Sequence, residues 1–276
     1  GASVEGNIVR DNERGIFTRG IGNSITRGNT VYNNTHYGIF GERDSNIIGN
    51  TIYDNDIGID AYGVSYGGKF SGVISNNLIY DNVTYGIHVD ATTQTGPNLH
   101  NNTIIQPTGT ALHLTSDVQG IDVRNNIIVY GSGYAVNLLG GENSYQSNYN
   151  LFHATGSGTL YGWLGTDYDS LADVFYNTAN EGNSIVADPL FNDPAHEDYT
   201  LNAASPAVDA GDPNSAYNLE PTPNGERINI GAFGNTDQAV TSSAERLTIE
   251  SPTALQKFEL GGQMLINWQT VGIDPL

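Results

Sequence analysis

Over the first 150 residues, apolar and polar positions alternate with a period of two, in runs too short for helices. In Tyr85-Gly86-Ile87-His88-Val89-Asp90, Ile87 and Val89 fall on one face and His88 and Asp90 on the other. Unpaired charge is costly beside buried apolar groups, so this segment is expected as a strand with His88 and Asp90 outward. Related strands recur along the chain. Asn7-Ile8-Val9-Arg10-Asp11-Asn12, Asn29-Thr30-Val31-Tyr32-Asn33-Asn34, Asn50-Thr51-Ile52-Tyr53-Asp54-Asn55 and Asn77-Leu78-Ile79-Tyr80-Asp81-Asn82 share one pattern. Weaker copies begin at Asn102, Asn126 and Asn148, so the leading Asn recurs at steps of 22, 21, 27, 25, 24 and 22 residues. A second register follows each copy: Gly15-Ile16, Gly38-Ile39, Gly58-Ile59 and Gly86-Ile87, then Ala111-Leu112 and Ala135-Val136.

This step, with short β-branched strands and Gly turns, fits one turn of a right-handed parallel β-helix. Leucine-rich repeats have a similar period, but their spaced leucines are absent, and propeller blades need about twice the period. Equivalent residues of successive coils in such a stack lie about 4.8 Å apart. The Asn column at 7, 29, 50, 77, 102, 126 and 148 is therefore expected to form a ladder of amides that satisfies buried turn groups. Composition agrees: 34 glycines and frequent Asn supply tight turns, and the mixture is poor for helical bundles.

The expected fold class is thus all-β. Residues 1–150 form parallel β-helix coils, 151–236 irregular coils and a C-terminal capping region, and 237–276 a linker with the start of a β-sandwich module. Within the middle part, Asp169 to Tyr176 reads as a short helix with Ser170 as N-cap and Asp173 as its capping-box partner. An end cap is required because an open coil would expose unpaired strand edges and core. Arg246 to Pro252 and Met264 to Trp268 read as two alternating strands that stop too early to complete a sandwich. Gly1 enters mid-pattern. The chain is expected to be a piece of a longer multidomain protein.

Charge limits the partners. Thirty acidic and ten basic residues give −20, which argues against nucleic acid and works against polyanions unless a local basic patch intervenes. Six of the ten basic residues, Arg10, Arg14, Arg19, Arg27, Arg43 and Lys69, lie in the first quarter of the chain and could make such a patch. There is no cysteine, so no disulfide framework or thiolate site, and no apolar run of membrane-spanning length.

Candidate chemistry sits on the outward positions after each Gly. The first is Phe17, Phe40, Asp60, His88, His113 and Asn137 in successive coils; the second is Arg19, Glu42, Tyr62, Asp90, Thr115 and Leu139. Asp60, His88 and His113 are expected to stack in one column and Tyr62 and Asp90 in the next. Insertions at 62–72 and 91–98 follow these strands directly, where binding loops are commonly built. Three chemistries stay open. Proton abstraction from a uronic-acid polymer needs a base, an acid and a cation for the carboxylate. Inverting glycoside hydrolysis needs two carboxyls about 6.5–9.5 Å apart, for which Asp60 and Asp90 are candidates. His88, His113 and Asp60 could hold a divalent metal. Outward Phe17, Phe40, Tyr32, Tyr53 and Tyr80 form aromatic columns suited either to sugar stacking or to a structural ladder. Asp54 and Asp81, beside Asn33, are candidates for calcium through oxygen ligands.

The coil pattern of residues 1–150 resembles that of secreted bacterial right-handed parallel β-helix proteins: pectate and alginate lyases, mannuronan epimerases and surface proteins. The series Ala187-Asp188-Pro189-Leu190-Phe191, Asp198-Tyr199-Thr200-Leu201, Ser205-Pro206-Ala207-Val208-Asp209-Ala210-Gly211 and Arg227 to Phe233 is similar to the tail that closes many of them. The resemblance implies a secreted or cell-surface protein that acts as a lyase or epimerase on an acidic polysaccharide, or binds one without turnover. It implies structural roles for Asp188, Asp209 and Arg227. Tyr85 to Asp90 resembles the epimerase strand Tyr-Gly-Phe-Asp-Pro-His, with His and Asp exchanged and the proline absent. On that resemblance His88 and Asp90 supply the acid/base pair, Tyr85 takes the place of the family's tyrosine, and Lys69 or Arg43 neutralises the substrate carboxylate.

Overall fold

The computed structural model describes residues 2–20, 24–63, 69–91 and 96–273; within the two insertions, residues 64–68 and 92–95 lie outside these. The chain winds through three parallel sheets, each strand pairing with its equivalent one coil away. Sheet 1 has seven strands, from Ser3–Glu5 to Gln146–Asn148, and sheet 2 has eight, from Ile8–Arg10 to Ile185–Val186. Sheet 3 contains β1 (Ile16–Arg19), β2 (Tyr37–Glu42), β3 (Ile57–Tyr62), β4 (Tyr85–Ala91), β5 (Thr110–Asp117), β6 (Tyr134–Leu138) and β7 (Thr159–Trp163). An antiparallel strand, β8 (Thr166–Tyr168), ends it. The rungs therefore continue past residue 150, where the Asn repeat fades from the sequence.

The alternation is read out as expected. Ile52, Ile79, Ile104 and Phe152 of sheet 2 meet Ile39, Ile59, Ile87 and Leu112 of sheet 3 in one buried column. The corners carry the polar burden. Asn7, Asn29, Asn50, Asn77, Asn102, Asn126 and Asn150 form a ladder in which each amide Nδ2 donates to the next Oδ1 at 2.9–3.0 Å. The last rung is Asn150, not Asn148. Every rung follows a residue of positive φ, such as Gly28, Asn76, Asn125 and Tyr149, and Asn148 precedes that turn instead. Its Oδ1 accepts from the backbone of Asn183 at 2.7 Å. A second ladder runs through Asn12, Asn34, Asn55 and Asn82.

The first ladder ends on a carboxylate. Asn150 Nδ2 donates to Glu181 Oε2 at 3.2 Å, and the hydroxyls of Ser147, Ser184 and Tyr161 donate to the same buried group. The coil end is closed by α1 (Leu171–Thr178), whose Val174 enters the core. Ser170 is its N-cap, accepting from the Asp173 N–H at 3.1 Å; the Asp173 carboxylate accepts a hydrogen bond from the Ser170 hydroxyl instead of from a backbone N–H.

The following tail lies along the outer flank of sheet 2, where Tyr199, Leu201, Ala207 and Ile230 pack on Tyr80, Ile105, Ile127, Val129 and Leu151. The cause is in the strands: their outward positions turn apolar in these coils and need cover. The tail is held by its own polar groups. Asp209 accepts from Ser242 and Arg246, and Arg227 Nε donates to Gly211 O at 2.6 Å. Beyond it, β9 (Arg246–Ser251) and β10 (Asn267–Val271) pair as an antiparallel hairpin, which no further strand joins among the described residues. Met264, Leu265 and Ile266 precede the second strand instead of forming it.

Candidate functional site: an aromatic trough beside an imidazole pair

Sheet 3 sets the outer row in register. Phe17 pairs with Phe40, Phe40 with Asp60, Asp60 with His88, His88 with His113 and His113 with Asn137. The second row holds only in part. Arg19, Glu42 and Tyr62 are in register, but the pairing of β4 with β3 ends at Val89. Against β5 the ladder shifts between Val89 and Ala91. Asp90 thus stands off the expected column with Tyr62, and its carbonyl accepts the Thr115 hydroxyl.

At the centre, His88 Nδ1 lies 2.8 Å from Asp60 Oδ1, with the two side chains only 17% and 10% exposed. Tyr85 joins them from the strand start. A strict period of two would put its ring inward with Ile87. However, the crowded corner already turns Gly86 inward, where a Cβ would meet Ile104 Cγ2 at 2.6 Å. The alternation slips by one, and the Tyr85 ring stacks on His88 at 5.2 Å and on His113 at 4.6 Å. The imidazoles stack on each other at 5.5 Å, and Asn137 Nδ2 lies 3.3 Å from His113 Nδ1. Burial, with the neighbouring His88 adding to it, pulls the pKa of His113 down to about 4, so this ring is uncharged at neutral pH.

Beside this cluster runs an open trough of about 720 Å³ whose floor is aromatic. Phe17 stacks on Phe40 at 5.3 Å, Tyr37 tilts against Phe40 at 4.9 Å, and Tyr62 closes the row at 5.7 Å. Phe17 remains 54% exposed, so its face is available to a ligand. Arg14 and Glu42 line the sides and Asp60 the end, while Arg19 pairs with Glu42 at 3.1 Å. Lys69 and Arg43 do not line the trough. Lys69 is exposed elsewhere; Arg43 sits at φ 57 with its Nε buried and without a hydrogen-bond partner. Arg14 is the cation that the trough does contain. Tyr37 and His36 were missing from the sequence candidates, although Tyr37-Gly38-Ile39-Phe40 repeats the form of Tyr85-Gly86-Ile87-His88 two coils earlier.

Among the described residues, no three His, Asp or Glu side chains are placed to hold a metal ion. His88 and His113 present stacked faces to each other, not converging lone pairs. Asp54 and Asp81 belong to a corner column, Asp11, Asn33, Asp54 and Asp81, with φ between 53° and 60°. Asn and Asp tolerate that left-handed conformation, which accounts for their recurrence. Burial, then the charges of Asp54 and Glu197, raise the Asp81 pKa. The Tyr32, Tyr53 and Tyr80 rings are stacked nearly parallel at 4.8 and 4.7 Å, and the tail's Tyr199 covers the end of this stack.

Charge is distributed unevenly. Residues 1–70 hold eight acidic and six basic residues, a net −2, which leaves −18 of the −20 to the rest of the chain. The trough thus lies in the nearly neutral part.

Fold and register define a right-handed parallel β-helix with an outward polar and aromatic row. In agreement, residues 1–104 match the family described as "Right handed beta helix region". Among curated proteins, "Uncharacterized protein YwoF" of Bacillus subtilis (strain 168) is 29% identical over 182 residues. That match covers 60% of this chain and 39% of YwoF, so the chain spans well under half of its relative's length. No solved structure gives a significant match. No helix among the described residues is long and apolar enough to cross a membrane.

Proposed function

We propose that the outer face of sheet 3 binds an acidic polysaccharide and that His88 moves a proton on it, as in lyase chemistry at a uronic-acid residue. The observation that carries the reading is the aromatic trough lined at its end by Asp60, which pairs with His88 at 2.8 Å. Sugar rings present C–H faces that pack on aromatic planes, and Phe17, Phe40 and Tyr62 offer such planes one coil apart. Asp60 accepts a hydrogen bond from Nδ1–H of His88, which leaves Nε2 of the neutral ring as a base aimed by its partner. The near-neutral charge of residues 1–70, with Arg14 in the trough wall, lets a polyanion approach. Secretion or display at the cell surface fits such a substrate and belongs to the same proposal.

A second reading, glycan capture without turnover, rests on the trough alone. The two separate in one experiment. Incubation with alginate, pectate and related uronic polymers is expected to raise the absorbance of the unsaturated uronate product. His88→Ala should lower that rate about 10²- to 10⁴-fold, the usual contribution of a positioned acid/base group, and leave retention on polysaccharide affinity gels intact. Retention with no product from any polymer, unsaturated or epimerised, supports capture only. Neither retention nor product ends both readings.

A further inference from the structure

The two stacked imidazoles are in opposite hydrogen-bonding states. His88 Nδ1 faces the Asp60 carboxylate, which only accepts, so the proton of the neutral ring sits on Nδ1 and Nε2 keeps its lone pair. His113 Nδ1 faces the Asn137 side-chain amide nitrogen, which only donates, so Nδ1 accepts and the proton sits on Nε2. Among the described residues, neither Nε2 has a hydrogen-bond partner. The register that brings these groups together runs Asp60, His88, His113, Asn137, one residue per coil.

From this geometry, and resting on the proposed uronate chemistry, we infer that His113 is an uncharged hydrogen-bond donor to the substrate carboxylate, with Asn137 as its positioning residue. The groups facing His113 keep it in that state. Tyr85 and His88 of β4 stack on its ring, and Asn137 of β6 brings no charge; Asp60 is paired to His88 one coil further away. Burial disfavours a charge on His113, and the neighbouring His88 adds to that, which agrees with a His113 pKa near 4. The chemistry balances without a co-reactant. His88 Nε2 takes the proton from C5, and the electron pair moves toward the carboxylate. Its oxygens gain charge, and the hydrogen bond from His113 Nε2–H strengthens with no proton transferred. The C4–O bond then breaks as the C4–C5 double bond forms, and the His88 imidazolium returns its proton to the departing oxygen. A preorganised donor of this kind is worth about 10²- to 10³-fold in rate.

The test combines a spectrum with kinetics on the full chain. Nitrogen-15 NMR is expected to show His113 with Nδ1 bare and Nε2 protonated from pH 5 to 8, titrating only below that range. The opposite tautomer, or titration near the ordinary value of about 6.5, overturns the inference. In kinetics on a uronic polymer, His113→Ala and Asn137→Asp should each lower kcat about 100-fold with little change in KM. In the second variant the introduced carboxylate would draw the His113 proton to Nδ1 and strip the donor from Nε2. His113→Gln, which can still donate, should retain part of the rate. Unchanged kcat in both His113→Ala and Asn137→Asp also overturns the inference. If the wild-type chain turns over no uronic polymer, the catalytic reading fails with it. The tautomer measured on the same sample then still reports whether the Asn137–His113 pairing is correct.

Discussion

Most of the individual residues that matter here answer to a corner, not to a strand face. Each Asn rung follows a positive-φ residue and serves both as donor and acceptor between coils. Glu181 takes the place of the next rung, and its position costs something. Burial raises its pKa above the ordinary 4.5, against the hydrogen bonds from Ser147, Ser184, Tyr161 and Asn150 that lower it. The protonated form is therefore favoured more in the folded than in the unfolded chain. This contribution to stability is complete below about pH 4.5 and declines as pH rises through the higher folded pKa. Glu181→Gln keeps an acceptor and removes the ionisation. Melting temperatures of the wild type and this variant, measured from pH 4 to 8, should diverge as pH rises, with the variant gaining. A gap that does not change with pH contradicts the assignment.

At the scale of the element, the strands show which parts of the sequence could be read and which could not. The first outward row was legible because a period of two and a Gly-Ile marker fix both face and register. The second row was not, because the register shift after Val89 leaves no mark in the alternation. Tyr85 was named from a resemblance, but its outward turn comes from the crowding at Gly86, which appears only when neighbouring coils are stacked. Asn150 could have been found: Tyr149-Asn150-Leu151-Phe152 repeats Asn125-Asn126-Ile127-Ile128, whereas Asn148 matches only in residue type. The two aromatic columns also part company here. The Tyr32–Tyr53–Tyr80 stack is capped by the tail and serves the fold, and the Phe17–Phe40–Tyr62 row stays open. Phe40→Ala should weaken binding of an acidic oligosaccharide about 2- to 10-fold, the equivalent of an aromatic contact worth about 0.5–1.5 kcal/mol. Tyr53→Ala should lower the melting temperature and leave affinity unchanged. Calorimetric titration and thermal melts on both variants check the pair, and the reverse pattern would assign the columns the other way.

Across the whole molecule, the tail covers sheet 2 and leaves the face of sheet 3 free over the first coils. The same coils carry little net charge, while −18 is concentrated beyond residue 70. On the proposed function, a polyanion would be directed, by repulsion elsewhere, toward the extended face that combines exposed aromatics with the Asp60–His88 pair. Lys69 and Arg43 were expected to meet it; instead Arg14 lines the trough, a position that only the coil stacking reveals. The most direct measurement is a crystal structure of the His88→Ala variant with a uronic-acid hexasaccharide. Density is expected along sheet 3, over Phe17, Phe40 and Tyr62, with one carboxylate beside His113 Nε2. An oligosaccharide bound elsewhere, or none bound at concentrations that saturate the protein in solution, would contradict the proposed function.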